Sequence, residues 1–203
     1  MMVLLIEGKV FEQRSACISD LEKAYPVLAA RSETLRRRPT ATQRSPRLLY
    51  VLQREFAVVT PADERVDVLG SEDATTCHLL VLRHTGSGVT ALAHLDGAGM
   101  EEAVDRMIAS MLEVSRGAPE GGWLEAHLVG GFVDDRGESI KLFRDLYRIF
   151  RLSTHPLHLV TACVCDANDV VKTDGIHYPI IYGVAGMYII PYLSCKINYL
   201  FEF

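Results

Sequence analysis

Residues 69–96 read LGSEDATTCHLLVLRHTGSGVTALAHLD, and the reading of the fold starts there. A polar turn, Ser71-Glu72-Asp73-Ala74-Thr75-Thr76, leads into the apolar run CHLLVLR. Gly86-Ser87-Gly88 then turns the chain, and VTALAHL returns. Two β-prone runs about a glycine turn predict a pair of antiparallel strands. Cys77 lies nine residues before the turn and His94 six after it. At about 3.3 Å per strand residue, pairing brings these two positions toward each other. A thiol attacks as its thiolate, and a neighbouring imidazole lowers its pKa and carries protons. On residue chemistry alone two readings of Cys77 stand, a buried structural thiol and a nucleophile with His94 as its base. His78 projects to the opposite sheet face and is an unsuitable partner for the thiol.

Outward from this pair, MVLLIEG is a short strand candidate, and Ser19 is placed to cap a helix over DLEKAYPVLAAR that Pro26 disturbs. RLLYVLQ, EFAVVT and RVDVLG read as three strands separated by polar turns. Met100, Ala103, Val104, Met107, Ile108, Met111 and Leu112 recur at helical spacing, and the glycines from 117 to 122 end that helix. LEAHLVGGF and PLHLVTACVC are strands; between them ESIKLFRDLYRIF is a helix with Ile140, Phe143, Tyr147 and Phe150 on one face. YPIIYGVA reads as one core strand. Strands first, then helices interleaved with strands, predict a layered α/β or α+β sheet.

With 203 residues and 49% hydrophobic content, the chain has ample material for one packed domain. A net charge of −5 disfavours wholesale binding to nucleic acid or an anionic membrane. The basic cluster Arg36-Arg37-Arg38, with Arg31 and Arg44, falls in SETLRRRPTATQRSPR and reads as a solvated, loop-like connector. Five cysteines (Cys17, Cys77, Cys163, Cys165 and Cys195) and a short, leaderless apolar start point to free thiols in a reducing cytoplasmic or nuclear setting. The last 28 residues are apolar, but Pro179, Pro191, Lys196 and Asn198 interrupt them before the roughly 20 residues that a membrane helix needs.

The remaining chemistry-bearing residues carry weaker signals. Cys163 and Cys165 alternate with apolar residues and read as core thiols, since C-x-C without a second ligand pair is poor evidence for a metal. His127 and His158 read as core or edge histidines. Arg83-His84-Thr85-Gly86 resembles the Arg-His-Gly signature of histidine phosphatases, but Thr85 stands where glycine is needed. Gly130-Gly131, with Asp134-Asp135-Arg136 after it, reads as a strand-to-helix turn or as a loop at a pocket edge.

LGSEDATTCHLLVLRHTG, ALAHLDG, HLVGGFVDDR and HYPIIYG together resemble the protein N-terminal asparagine amidohydrolases, over roughly residues 3–185. Ser71, Cys77 and His94 are also similar in spacing to the threonine, cysteine and histidine of bacterial chemoreceptor glutamine deamidases, at intervals of six and seventeen. The resemblance implies an α+β fold, a layered α-β-β sandwich of the deamidase type. It implies that Cys77 attacks the side-chain amide of an asparagine at the first position of a protein. Backbone N–H groups around Thr76 and Cys77 would receive the oxyanion, His94 would move the protons, and Ser71 would orient His94 or meet the substrate amide. No metal or organic cofactor is implied. The product, an N-terminal aspartate, is arginylated in this family's pathway and marks its protein for degradation. The partners are proteins or peptides with a free N-terminal asparagine, not nucleic acid or membrane, and the expected state is a monomer.

The substrate α-amine, largely charged at pH 7, calls for an acidic neighbour, and Glu72, Asp73 and Asp96 are nearest in sequence. Rejecting glutamine means rejecting one methylene, worth about 1–3 kcal/mol in a simple pocket. Two alternatives stand beside this reading, a deamidase acting on internal glutamines and an inactive short product. The chain leaves the family pattern after Ala185, so residues 1–185 are expected to form a partial amidohydrolase domain. Residues 186–203, GMYIIPYLSCKINYLFEF, read as a divergent apolar tail. Uncovered strand edges and apolar surface there lead us to expect poor solubility and low activity.

Overall fold

Around Gly86-Ser87-Gly88 the chain does form a hairpin, and every other element is arranged about it. The computed structural model describes residues 4–11, 17–38, 40–41, 46–116, 121–187 and 195–197. In chain order the elements are β1 (Leu4–Ile6), β2 (Lys9–Val10), α1 (Ile18–Ala24), α2 (Pro26–Arg36), β3 (Thr40–Ala41), β4 (Leu48–Tyr50), β5 (Phe56–Val59), β6 (Val68–Ser71), β7 (His78–His84) and β8 (Thr90–Leu95). There follow α3 (Met100–Val114), β9 (Leu124–Gly130), α4 (Glu138–Leu152), β10 (Leu157–Val164), a 3-10 turn (Cys165–Asn168), β11 (Asp169–Val171), β12 (His177–Pro179), β13 (Val184–Met187) and β14 (Cys195–Ile197).

Seven strands form one sheet in the order β2-β1-β10-β9-β7-β8-β5, and five form a second in the order β3-β14-β13-β6-β4. The hairpin strands β7 and β8 pair antiparallel, with Leu79 opposite His94. Strand alternation divides the large sheet into two faces. Leu80, Leu82, Ala91, Ala93, Leu95, Ala126 and Leu128 face a core completed by Met107 and Met111 of α3 and by Phe143, Leu146 and Phe150 of α4. Leu79, Leu92, Val129 and Cys163 face a second core with Leu69 and Val184 of the small sheet. The result is the expected α+β fold, with α3 and α4 on one face of the large sheet and the second sheet on the other.

Several local expectations are corrected. Pro26 does not disturb one helix but begins a second one, because proline at a first helical position forfeits no hydrogen bond. Ser19 lies inside α1 rather than capping it; Cys17 holds the cap position, and its Sγ lies 2.9 Å from Ser19 Oγ. The basic cluster is helical through Arg36, where Arg36 and Arg37 both pair with Glu33; Arg44 lies outside the described residues. YPIIYGVA is two strands, since Ile180 and Ile181 leave the ladder to bond Asn168. PLHLVTACVC stops at Val164, because Cys165 turns into the left-handed region at φ 50°. Most of residues 186–203 lie outside the described residues; β13 carries two residues from each side of the 185/186 boundary, and Gly186 and Met187 pair with Leu69 and Val68.

Candidate active site

The two sheets meet at Ser71 and His94. Leu69 packs between the sheets, and Ser71, two residues on, shares its face. Leu92 and His94 are related in the same way on β8. Ser71 is fully buried and His94 is 3% exposed. Ser71 Oγ lies 2.9 Å from His94 Nδ1, a hydrogen bond that bridges the sheets. His94 Nε2 is buried and has no partner among the described residues. An unpartnered buried nitrogen costs free energy, so its survival calls for an explanation.

Cys77 supplies one by position. It immediately precedes β7, and the pairing of Leu79 with His94 makes it a same-face, diagonal neighbour of His94. Diagonal neighbours in a ladder lie about 7–8 Å apart, within reach after modest side-chain movement. No hydrogen bond joins the thiol to the imidazole in the structure. Cys77 is half-buried, and burial pushes its thiol up, with Asp96 adding to this and Arg54 opposing it. Burial pushes His94 down, against the pull of Asp96 and Asp73. Both shifts favour the neutral forms. Burial thus acts on both groups in the same sense, toward a thiol at Cys77 and an uncharged imidazole at His94.

The three acidic candidates have different environments. Glu72 is buried, and it accepts a hydrogen bond from the Tyr50 phenol, whose pKa is raised by burial and by the Glu72 charge. Asp96 accepts from Gln53 Nε2 at 2.7 Å, from Arg54 Nε at 2.6 Å and from the Ala98 N–H at 3.1 Å. These donors hold its carboxyl below the ordinary range despite its burial. Asp73 is exposed, at φ 60°. Thr76, the residue before Cys77, is half-buried.

The backbone at Cys77 is held from two sides. Gly131 N–H donates to Cys77 O at 2.9 Å. This close approach explains the double glycine. A Cβ on Gly130, at φ 120°, would lie 2.5 Å from Cys77 O. A Cβ on Gly131, at φ 64°, would lie 2.8 Å from His78 Cε1. On the other side, Ala74 N–H donates to Tyr182 O at 2.9 Å. Fully buried Asn168 links both supports, donating from Nδ2 to Gly131 O and to Ile181 O at 2.8 Å each. The double glycine is visible in the sequence as a signal, whereas Asn168, Gln53, Arg54 and Tyr50 carry none.

Other residues lie apart from this centre. His78 is buried on the helix side, stacked on Phe143 with ring centroids 6.4 Å apart, and burial lowers its pKa to about 3. His84 bonds Ser87 Oγ at 2.8 Å and Arg83 pairs with Glu125 at 3.3 Å, so the phosphatase-like run is occupied by turn and ladder contacts. His127 bonds Thr161, and His158 lies against Trp123. Cys163 and Cys165 are buried free thiols. Among the described residues no group of three or more His, Cys, Asp or Glu side chains is arranged to hold a metal, and no helix is long and apolar enough to cross a membrane.

The family described as protein N-terminal asparagine amidohydrolase matches residues 38–189 of the chain. Proteins of that name from Mus musculus and Homo sapiens are 45% and 44% identical to it over 185 and 184 residues. In each case the match covers 91% of this chain and 58% of the relative, so the chain spans little more than half their length. The Arabidopsis thaliana protein of that name is 44% identical over 88 residues, 43% of this chain and 24% of its own.

Proposed function

The chain belongs to the protein N-terminal asparagine amidohydrolase family, and from that premise we propose that it hydrolyses the side-chain amide of an N-terminal asparagine, giving N-terminal aspartate and ammonia. The observation that carries the reading is His94, anchored at Nδ1 by Ser71 and, among the described residues, unpartnered at Nε2, on the sheet face that Cys77 shares just before β7.

In the proposed cycle, neutral His94 carries its proton on Nδ1 and donates it to Ser71 Oγ, which leaves the Nε2 lone pair as the base. As Sγ bonds to the amide carbon, Nε2 takes the thiol proton, a general-base step suited to groups whose surroundings favour their neutral forms. Catalytic hydrogen bonds are often long before substrate binds and tighten in the complex, which accommodates the open Cys77–His94 spacing. The amide oxygen becomes an oxyanion facing the N–H groups of Cys77 and Thr76. The imidazolium returns its proton to the amide nitrogen, the C–N bond breaks, and ammonia leaves a thioester. Water then loses a proton to Nε2 and attacks the thioester, and the departing sulfur is reprotonated.

The substrate ammonium is assigned to Asp73, the exposed member of the acidic set, with Glu72 and Asp96 adding negative field behind it. We assign the rejection of glutamine to the position that Sγ takes once the substrate is bound. We further assign the product to the degradation of proteins bearing N-terminal aspartate, and the enzyme to the cytoplasm or nucleus as a monomer.

The test is mass spectrometry of Asn-initiated peptides incubated with the chain, with ammonia release measured in parallel. Peptides with a free α-amine are expected to be converted and acetylated ones left intact. Equal conversion of both, or conversion of internal glutamine instead, would overturn the assignment.

A further inference from the structure

The β7–β9 ladder ends in an asymmetry at the nucleophile. Two residues in a hydrogen-bonded antiparallel pair exchange both of their N–H···O bonds. At the pair Cys77/Gly131 one bond is made, Gly131 N–H to Cys77 O at 2.9 Å. The reciprocal bond is missing, and among the described residues the Cys77 N–H has no acceptor. The Gly131 carbonyl that would accept it instead receives Asn168 Nδ2 at 2.8 Å. Gly131 sits at φ 64°, a left-handed conformation that re-aims its peptide group away from the ladder.

Asn168 is itself held rigidly. It is fully buried, its Nδ2 also donates to Ile181 O at 2.8 Å, and its Oδ1 accepts from Ile181 N–H at 2.8 Å. Its backbone carbonyl accepts from Ile180 N–H at 2.8 Å. All side-chain hydrogen-bonding capacity but one lone pair is therefore spent on Gly131 and Ile181.

We propose that Asn168 is a positioning residue of the amidohydrolase site. It takes the Gly131 carbonyl out of the ladder and leaves the Cys77 N–H free to receive the oxyanion of the reacting amide. A free backbone N–H beside the nucleophile is the donor that a tetrahedral intermediate needs. An ordinary ladder rung would occupy it. The inference rests on the function proposed above, and its test separates the two.

The first measurement, backbone amide hydrogen exchange of the full chain by NMR, needs no activity. In the unaltered chain the Cys77 amide is expected to exchange at least about tenfold faster than those of Gly131 and Leu79. In Asn168→Ala the released Gly131 carbonyl is expected to slow exchange at Cys77. A Cys77 amide as protected as that of Gly131 in the unaltered chain would overturn the proposal.

The second measurement is kinetic. With a free-amine Asn peptide, Asn168→Ala is expected to lower kcat by about 10²–10³-fold, as loss of an oxyanion donor does. KM and the rate of Cys77 alkylation by iodoacetamide should stay within about threefold, since neither requires that donor. Unchanged kcat, or alkylation falling in step with kcat, would overturn it. Should Asn168→Ala fail to fold, Asn168→Asp keeps the size and the acceptor for Ile181 but faces two carbonyl oxygens with a carboxylate. Protonation restores one donor, so its kcat relative to the unaltered chain should recover as pH falls; a pH-independent ratio would count against the role. If the unaltered chain deamidates nothing, the functional reading fails, and amide exchange still decides what Asn168 does to Cys77.

Discussion

His94 is anchored at one nitrogen and open at the other, so single-residue predictions turn on which nitrogen a change affects. Cys77→Ala and Cys77→Ser are expected to abolish ammonia release, because a serine hydroxyl is far less acidic than a thiol. Cys17→Ala should leave activity within a few-fold, since that side chain contacts Ser19 rather than the site. Ser71→Ala removes the Nδ1 anchor. A neutral hydrogen bond contributes about 1 kcal/mol, so kcat is expected to fall roughly five- to tenfold while the Cys77 alkylation rate changes less. For pH the sign follows from burial. His94 is lowered from 6.5, so its base form persists into mild acid, and kcat/KM should fall only as pH drops through a value below 6.5. On the alkaline side the substrate ammonium is lost near its pKa of about 7.7–8.0, and kcat/KM should fall again there. A profile already halved on the acid side at pH 7 would contradict the buried-imidazole account. Asp73→Asn is expected to raise KM for free-amine peptides with little change in kcat; an unchanged KM would move the ammonium elsewhere.

At the scale of elements, the end of β9 and the start of β7 are locked together by two glycines. Gly130→Ala places a Cβ 2.5 Å from Cys77 O and strains a residue at φ 120°. Backbone strain of this kind costs about 1–3 kcal/mol, and relief requires Cys77 to move. Gly130→Ala is therefore expected to lose both melting temperature and activity. Gly121→Ala is the control, since Gly121 has a comparable φ of 112° with nothing within 4 Å of the added Cβ. It should lower the melting temperature less and leave kcat unchanged; equal effects on kcat would show that contact with Cys77 is irrelevant. The elements themselves were largely legible in the sequence. Hairpin, long helices and buried strands announce themselves through periodicity, a local property. Pro26 was misread because proline signals both the interruption of a helix and the start of one, and only packing chooses. YPIIYGVA divides into two strands because Ile180 bonds the Asn168 carbonyl and Ile181 the Asn168 side chain, contacts that no alternation pattern records.

For the whole molecule, three buried imidazoles set the response to acid. Burial lowers His78 to about 3, His127 to about 4, and His94 below 6.5. Each stays neutral in the native protein over a range where the unfolded chain takes up a proton. Stability must then fall as pH drops below about 6.5, by about 1.4 kcal/mol per pH unit for each such proton. Chemical denaturation at pH 7.5 and 5.5 is expected to show a clear loss at the lower pH, and His78→Phe should flatten the dependence. Equal midpoints at both pH values would contradict the burial of these rings.

Periodicity and spacing along the chain were enough for the hairpin, the helix faces, and the cysteine and histidine that the hairpin brings toward each other. These follow from alternation and spacing within about twenty residues, which local geometry obeys wherever the segment sits. Only the packed fold decided that Ser71, expected either to orient His94 or to meet the substrate amide, bonds His94 from another sheet, that Asp96 is taken by Arg54 and Gln53, and that Asn168 stands behind Gly131. Those contacts join residues 23 to 43 positions apart. Each depends on strand register and sheet-on-sheet packing, and no local pattern records which partner a buried polar group will meet once its water is gone.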